Sequence, residues 1–198
     1  MNILSLCDFT GNMVRPWLEA GHTATIVDIQ HRGVTVEKGV TNGGTLIKVQ
    51  ENILRYCPPW GIDIVFAFPP CTDLANSGAR WFKTKGMRRL IDALQLVERC
   101  RELCDTIGAP YMIENPVGQL STYWRKPDYT FDPCDYGDPY TKKTCLWTGN
   151  GFVMPPKERV EPVGGSKMHL LPETANRPNL RSATPMGFAR AVFEANVR

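Results

Sequence analysis

Residues 62–68 form a near-continuous apolar run that stops at Pro69-Pro70. A strand apolar on both faces must be covered on both, as a strand buried within a parallel α/β sheet is. Proline cannot donate to a ladder, so the strand ends there. Cys71 then stands on stiff backbone just past its carboxyl end.

The flanking segments supply matching units. Residues 3–6 read as a first strand, followed by the tight loop Cys7-Asp8-Phe9-Thr10-Gly11-Asn12. Residues 13–20 read as a short helix, with Pro16 in its first turn and Gly21 at its end. Residues 23–27 are a β-branched strand closed by Asp28. Residues 31–50 are polar and glycine-containing, with a turn at Gly43-Gly44. Residues 49–56 read as a short helix broken by Cys57-Pro58-Pro59.

The clearest helical period runs over residues 87–107, where Leu90, Leu94, Val97, Cys100, Cys104 and Ile107 recur at three- and four-residue steps. Cys100 and Cys104 are therefore core residues, and Gly108 caps the helix. Residues 109–113 are another strand, ending in Glu114-Asn115-Pro116, and residues 144–148 a further one. Residues 184–195 read as a closing helix, with Thr184 as N-cap, Pro185 at the first helical position and Phe188, Ala191, Val192 and Ala195 on its apolar face.

Alternating strands and helices predict an α/β fold: a three-layer, Rossmann-like domain with a mostly parallel sheet. The 198 residues suit one domain spanning the chain, with 151–180 a loop-rich excursion. In such sheets ligands bind beyond the carboxyl ends of the strands, where Asp8 to Asn12, Asp28, Pro69 to Thr72, and Glu114-Asn115 all fall.

Composition narrows the chemistry. Seven scattered cysteines, none in a Cys-x-x-Cys pair and none near the three histidines, argue against a metal site and for free thiols in a reducing compartment. No apolar run is long enough to span a bilayer, and the first residues lack a leader's pattern, so a cytoplasmic protein is expected. The net charge of +3 does not by itself indicate nucleic acid.

Three constellations carry chemistry. Gly11 after the first strand lets backbone approach a nucleotide-like ligand, and Asp28 after the second can bind ribose hydroxyls; a plain β-turn explains Gly11 equally well. Cys71, on its rigid loop, is placed for nucleophilic catalysis, whereas Cys57, which precedes its prolines, reads as structural. Glu114 at a sheet edge can act as an acid or hydrogen-bond donor if its pKa is raised, or be an ordinary strand-end glutamate.

The order of cofactor loop, Pro69-Pro70-Cys71 and Glu114-Asn115 resembles the cytosine-C5 DNA methyltransferase family. The segment Tyr136-Gly137-Asp138-Pro139-Tyr140-Thr141-Lys142 is similar to that family's Tyr-Gly-x-Pro-Gln-x-Arg stretch, and the likeness spans residues 3–149. In detail the wording is closer to small phage and prophage members. The resemblance implies an S-adenosylmethionine-dependent methyltransferase fold that methylates C5 of cytosine in DNA. Cys71 would attack C6, Glu114 would contact N3 and the exocyclic amine, and Asn115 would hold the loop. Lys142 would lower the Cys71 pKa. S-adenosylmethionine would lie on Asp8, Phe9, Thr10, Gly11 and Asn12, against Pro69, with Asp28 at its ribose and Phe9 against its adenine. Pro70, Thr72 and Arg80 would face the substrate. A phage-encoded member would work in the host cytoplasm, protecting phage DNA from restriction.

The sequence also departs from that family. Met13 stands where a second glycine is usual, Thr72 follows Cys71 in place of glutamine, and Tyr140 and Thr144 replace a glutamine and an arginine. Residues 151–180 are too few for a target-recognition domain, so specificity is very short or comes from a homodimer or a partner. Lys157, Arg159, Lys167 and Arg177 are candidates for phosphate contacts there. Two alternatives stand beside this reading: C5 modification of RNA or of a cytidine nucleotide, and a non-catalytic cofactor- or DNA-binding module.

Overall fold

A computed structural model describes residues 1–40, 42–166, 173–174 and 177–197. Strand β5 (Ile64–Ala67) shows how the apolar run is used. Ile64 and Phe66 enter a core on one face of the sheet, while Val65 and Ala67 enter a second core on the other. Strand β1 (Asn2–Leu6) divides Ile3 from Leu4 and Leu6 in the same way.

Helices cover both faces. Helices α1 (Arg15–Glu19) and α5 (Met186–Asn196) close the first core with Trp17, Leu18, Phe188 and Val192. The second core is closed by α2 (Phe82–Ile107) and the single turn α3 (Leu120–Tyr123), through Val97, Cys100, Leu103, Cys104 and Leu120. Leu90, Leu94 and Ile107 pack at its margin, so the helical stripe read from the sequence is the buried face. Gly108 ends α2 in the left-handed conformation, at φ 73°.

The remaining strands are β2 (Thr23–Val27), β3 (Val34–Val40), β4 (Gly44–Val49), β6 (Tyr111–Pro116), β7 (Tyr129–Phe131) and β8 (Thr144–Gly149). One eight-stranded sheet results, in the order β3-β4-β2-β1-β5-β6-β8-β7. Its centre, β4 through β6, is parallel; β3, β7 and β8 pair antiparallel at the two ends. The fold is thus α/β with a mixed, mostly parallel sheet. The chain moves outward from β1 to β2 and β4, then returns to the other side of β1 as β5. The direction of winding reverses between β1 and β5, the place where open sheets of this kind bind ligands.

Several boundaries differ from the sequence reading. Residues 31–50 hold a β-hairpin around the expected turn. Strand β3 is exposed on both faces, so burial imposes no apolar period on it. Residues 49–56 are not a helix. Val49 is the last residue of β4, and Asn52 starts only one turn, accepting from Arg55 N at 2.8 Å. Cys57 is exposed rather than built into the structure. Thr184 does not cap α5; Pro185 holds the N-cap position, and the Thr184 carbonyl accepts from Asn12 Nδ2 at 3.1 Å. Residues 150–166 form no helix or strand; a bridge joins Glu158 to Tyr136, Phe152 N donates to Gly149 O of β8 at 3.1 Å, and Val160 N donates to Cys134 O at 2.8 Å. A short helix, α4 (Arg177–Ser182), precedes α5. Among the described residues no helix is long and apolar enough to cross a membrane.

Candidate active site

Adjacent strands β2, β1, β5 and β6 carry the four predicted segments to one rim of the sheet. Asp28 follows β2, residues 8–12 follow β1, and Pro69 to Thr72 follow β5. Glu114 and Asn115 do not follow β6 as expected but lie within it. The strand runs on to Pro116 because β8 pairs with it that far, with Asn115 opposite Cys145.

Asn115 explains how the cysteine loop is held. It is fully buried, and its Nδ2 donates to the Pro69 carbonyl at 2.9 Å. The loop is then stitched to the end of β6. Gln119 N donates to Leu74 O at 2.8 Å, and Asn76 N to Val117 O at 3.0 Å. A Cβ on Gly118 would lie 2.1 Å from Leu74 O, so only glycine permits that approach. The Cys71 carbonyl accepts from Leu74 N and Ala75 N, which fixes the turn presenting the thiol. Asn115→Ala should remove about 1–3 kcal/mol of stability, read by denaturant unfolding. The loop carrying Cys71 should also lose its anchor, read as faster alkylation or proteolysis of residues 69–76.

Cys71 is half-buried, and three charges act on it. Burial pushes its thiol pKa up, Glu114 pushes it further, and Lys142 and Arg181 oppose them; the net shift is upward. Glu114 is also raised, by burial, against the pull of Lys142. The expected lowering by Lys142 is present in direction but is outweighed. The free protein therefore holds Cys71 more firmly as a thiol than an ordinary cysteine. Removing the Glu114 carboxylate should weaken this hold, although burial, the larger cause, remains. Glu114→Gln is expected to speed iodoacetamide alkylation of Cys71 at neutral pH, and Lys142→Met to slow it. Each pKa unit of change gives about tenfold in thiolate.

Lys142 is positioned by its backbone. Its N–H donates to Asp132 Oδ1 at 2.8 Å, and the preceding loop is clamped to α5 by Gly187 N donating to Asp138 Oδ2 at 2.9 Å. Thr144 is buried, and its hydroxyl donates back to the Lys142 carbonyl at 2.8 Å.

The loop after β1 is self-organised. Asp8 is buried and accepts from Ser5 Oγ at 2.7 Å, Gly11 N at 2.7 Å and Thr10 Oγ1 at 3.3 Å. Burial still raises its pKa above the ordinary value. Asp8 and Thr10 thus shape the loop, and Asn12 ties it to Thr184. Gly11 takes φ +69°, which a side chain disfavours. Met13 is fully buried in the first core, so its bulk is turned away from the loop. Phe9 is 38 % exposed and stacks on His31 with ring centroids 5.4 Å apart. Asp28 Oδ1 accepts from Gln30 N at 2.8 Å, leaving a half-buried carboxylate at the rim.

Other candidates are placed differently from the sequence reading. Lys157 and Arg159 both pair with the buried Asp135, at 2.8 and 2.5 Å, and both side chains stay about half exposed. Arg177 pairs with Glu173 at 2.9 Å. Lys167 lies outside the described residues. Thr72 and Pro70 are exposed beside Cys71, and Arg80 is exposed, its guanidinium 5.0 Å from the Trp81 ring centroid. Among the described residues no cluster of His, Cys, Asp or Glu could hold a metal.

Sequence reasoning missed two contributors. Arg181 bears on Cys71 from α4, more than a hundred residues away in sequence, and no local pattern marks it. Lys85 donates to the Thr72 carbonyl at 2.9 Å and pairs with Asp73 at 2.7 Å, clipping the cysteine loop to the start of α2. No protein-family model matches the chain, and no curated protein matches it.

Proposed function

We propose that this chain is an S-adenosylmethionine-dependent methyltransferase that modifies C5 of cytosine in DNA through a covalent Cys71 adduct. The observation that carries the reading is the grouping of Cys71, Glu114 and Lys142 at the carboxyl ends of β5 and β6, with buried Asn115 bracing the cysteine loop. A thiol, a carboxyl of raised pKa and a cation in mutual electrostatic range suit conjugate addition to a pyrimidine ring.

The residues at the carboxyl ends of β1 and β2 support a nucleoside-like cofactor at the point where the winding reverses. Gly11 leaves the backbone bare, Phe9 offers an exposed ring face, and Asp28 offers a carboxylate. Bound there, S-adenosylmethionine would supply an electrophilic methyl group.

The chain's own residues do the rest. Cys71 Sγ adds to C6, and the C5–C6 π pair becomes the nucleophile at C5. Glu114, whose buried site favours the protonated form more than an ordinary glutamate's surroundings do, takes up a proton and shares it with N3 as charge develops on the ring. Sharing that proton keeps its negative charge from opposing the Cys71 thiolate, while Lys142 and Arg181 favour it. The thiolate therefore forms most readily with the base in place. After methylation, loss of the C5 proton to a solvent base restores the double bond and breaks the S–C6 bond.

The rate should rise with pH as the raised Cys71 thiol ionises and fall again as Glu114 loses its proton; Glu114→Gln should be much slower, lack the falling limb, and have its rising limb shifted toward lower pH. Transfer of labelled methyl groups to cytosine-containing DNA tests the activity. Label on RNA or free cytidine nucleotides, with none on DNA, would replace the substrate. Label on none of these would contradict the enzymatic reading.

A further inference from the structure

Helix α2 is broken at Gly86, which takes φ 78° and ψ 167°. Beside the break lies an open groove of about 320 Å³, lined among others by Phe82, Met87, Leu90 and Tyr123. Asp73, Lys85 and Gln119 line it too. Lys85 clips the Thr72 carbonyl, and Gln119 holds Leu74, so the groove runs alongside the loop that carries Cys71.

Its charge is one-sided. Between Asp73 and Asp92 the sequence holds Arg80, Lys83, Lys85, Arg88 and Arg89 and no acid. Lys85 and Arg88 are paired with the two flanking aspartates. Lys83 and Arg89, which line the groove, and Arg80 make no ion pair with any described residue. Among these cations lie Trp81, 52 % exposed, and Tyr123, 55 % exposed. Unpaired cations beside open aromatic faces suit an unstacked polynucleotide, whose phosphates take the charges and whose bases stack on the rings. A duplex keeps its bases stacked and offers nothing to an apolar groove floor.

We propose that this groove binds a single strand of DNA running past Cys71, with phosphates on Lys83, Arg89 and Arg80 and one unpaired base against Phe82 and Tyr123. The choice of DNA rests on the methyltransferase reading; the preference for a single strand rests on the groove. Local strand capture also bears on how a chain with so short an excursion before α5 holds its substrate.

The test is fluorescence anisotropy on the full chain without cofactor. The probes are a labelled single-stranded oligodeoxynucleotide containing cytosine, the same sequence as duplex, and its RNA equivalent. The single strand should bind about tenfold or more tighter than the duplex. Lys83→Ala with Arg89→Ala should lower the magnitude of the salt slope by about 1.4, near 0.7 per phosphate contact on a single strand. Tyr123→Ala should weaken the single strand by about 5- to 100-fold and leave the salt slope unchanged. All three positions are exposed, and matching unfolding curves would show intact folding. Equal or tighter duplex binding, preference for RNA, or variants that bind as wild type would each overturn the proposal. Binding is read without turnover, so it survives or fails separately from methyl transfer.

Discussion

Cys71→Ala is expected to remove methyl transfer to cytosine by on the order of 10⁴-fold or more, with little change in stability. The activity loss follows from the covalent route proposed above. Without a nucleophile at C6, C5 is too electron-poor to accept a methyl group. Cys145 also feels Glu114, but it is buried in β8 and burial raises its thiol pKa. Stability should hold because Cys71 is half-buried on a loop and belongs to neither core. Cys71→Ser should be nearly as inactive, since an alkoxide is much harder to form and adds poorly to an activated ring. Methyl-transfer rates beside thermal unfolding of the same preparations separate the two effects. Appreciable activity in Cys71→Ala would remove the covalent mechanism.

Gly187→Ala is expected to show the largest loss of stability. A Cβ on Gly187 would sit 1.8 Å from the Tyr136 carbonyl oxygen and 2.9 Å from the Tyr136 carbonyl carbon. The obstacle is backbone, so no rotamer change relieves it. Either α5 moves away from residues 136–138 or the loop carrying Lys142 is displaced. Overpacking of this kind costs about 3 kcal/mol or more. In a domain of this size that lowers Tm by roughly 6–12 °C. The bond from Gly187 N to Asp138 Oδ2 would be lost in the same movement. Calorimetric unfolding reads the stability, and a Tm within two degrees or so of wild type would show that the α5 contact is softer than the geometry indicates.

Much of the sheet's centre was legible because burial writes itself into sequence. β5 is apolar on both faces, α2 repeats its apolar residues at helical spacing, and Gly108 marks where that helix stops. These patterns arise from local geometry, so a local reading finds them. β3 escaped because neither of its faces is buried and nothing selects for alternation. Residues 49–56 misled because Ile53 and Tyr56 are buried in a single turn that mimics one edge of a helix.

The candidate site divides in the same way. Cys71, Asn115 and Glu114 could be singled out because each lies on or at the end of a strand at the sheet's carboxyl rim. Their mutual arrangement could not. The bond from Asn115 to Pro69 joins residues 46 apart. The pairing of Lys157 and Arg159 with Asp135 joins residues 22 and 24 apart, so no local pattern marks the partner that these two cations share. The upward shift of Cys71 was hidden for a related reason: it depends on burial and on Glu114 from a neighbouring strand.

The central claim is that Cys71 forms a covalent bond to C6 of cytosine. Intact-mass spectrometry of the protein with S-adenosylmethionine and DNA carrying 5-fluorocytosine tests it directly, because fluorine at C5 blocks the final elimination. The account predicts a protein–DNA adduct that maps to Cys71, present in wild type and absent in Cys71→Ala. An adduct at another residue, or none with single-stranded or duplex DNA while S-adenosylmethionine binds, would contradict it.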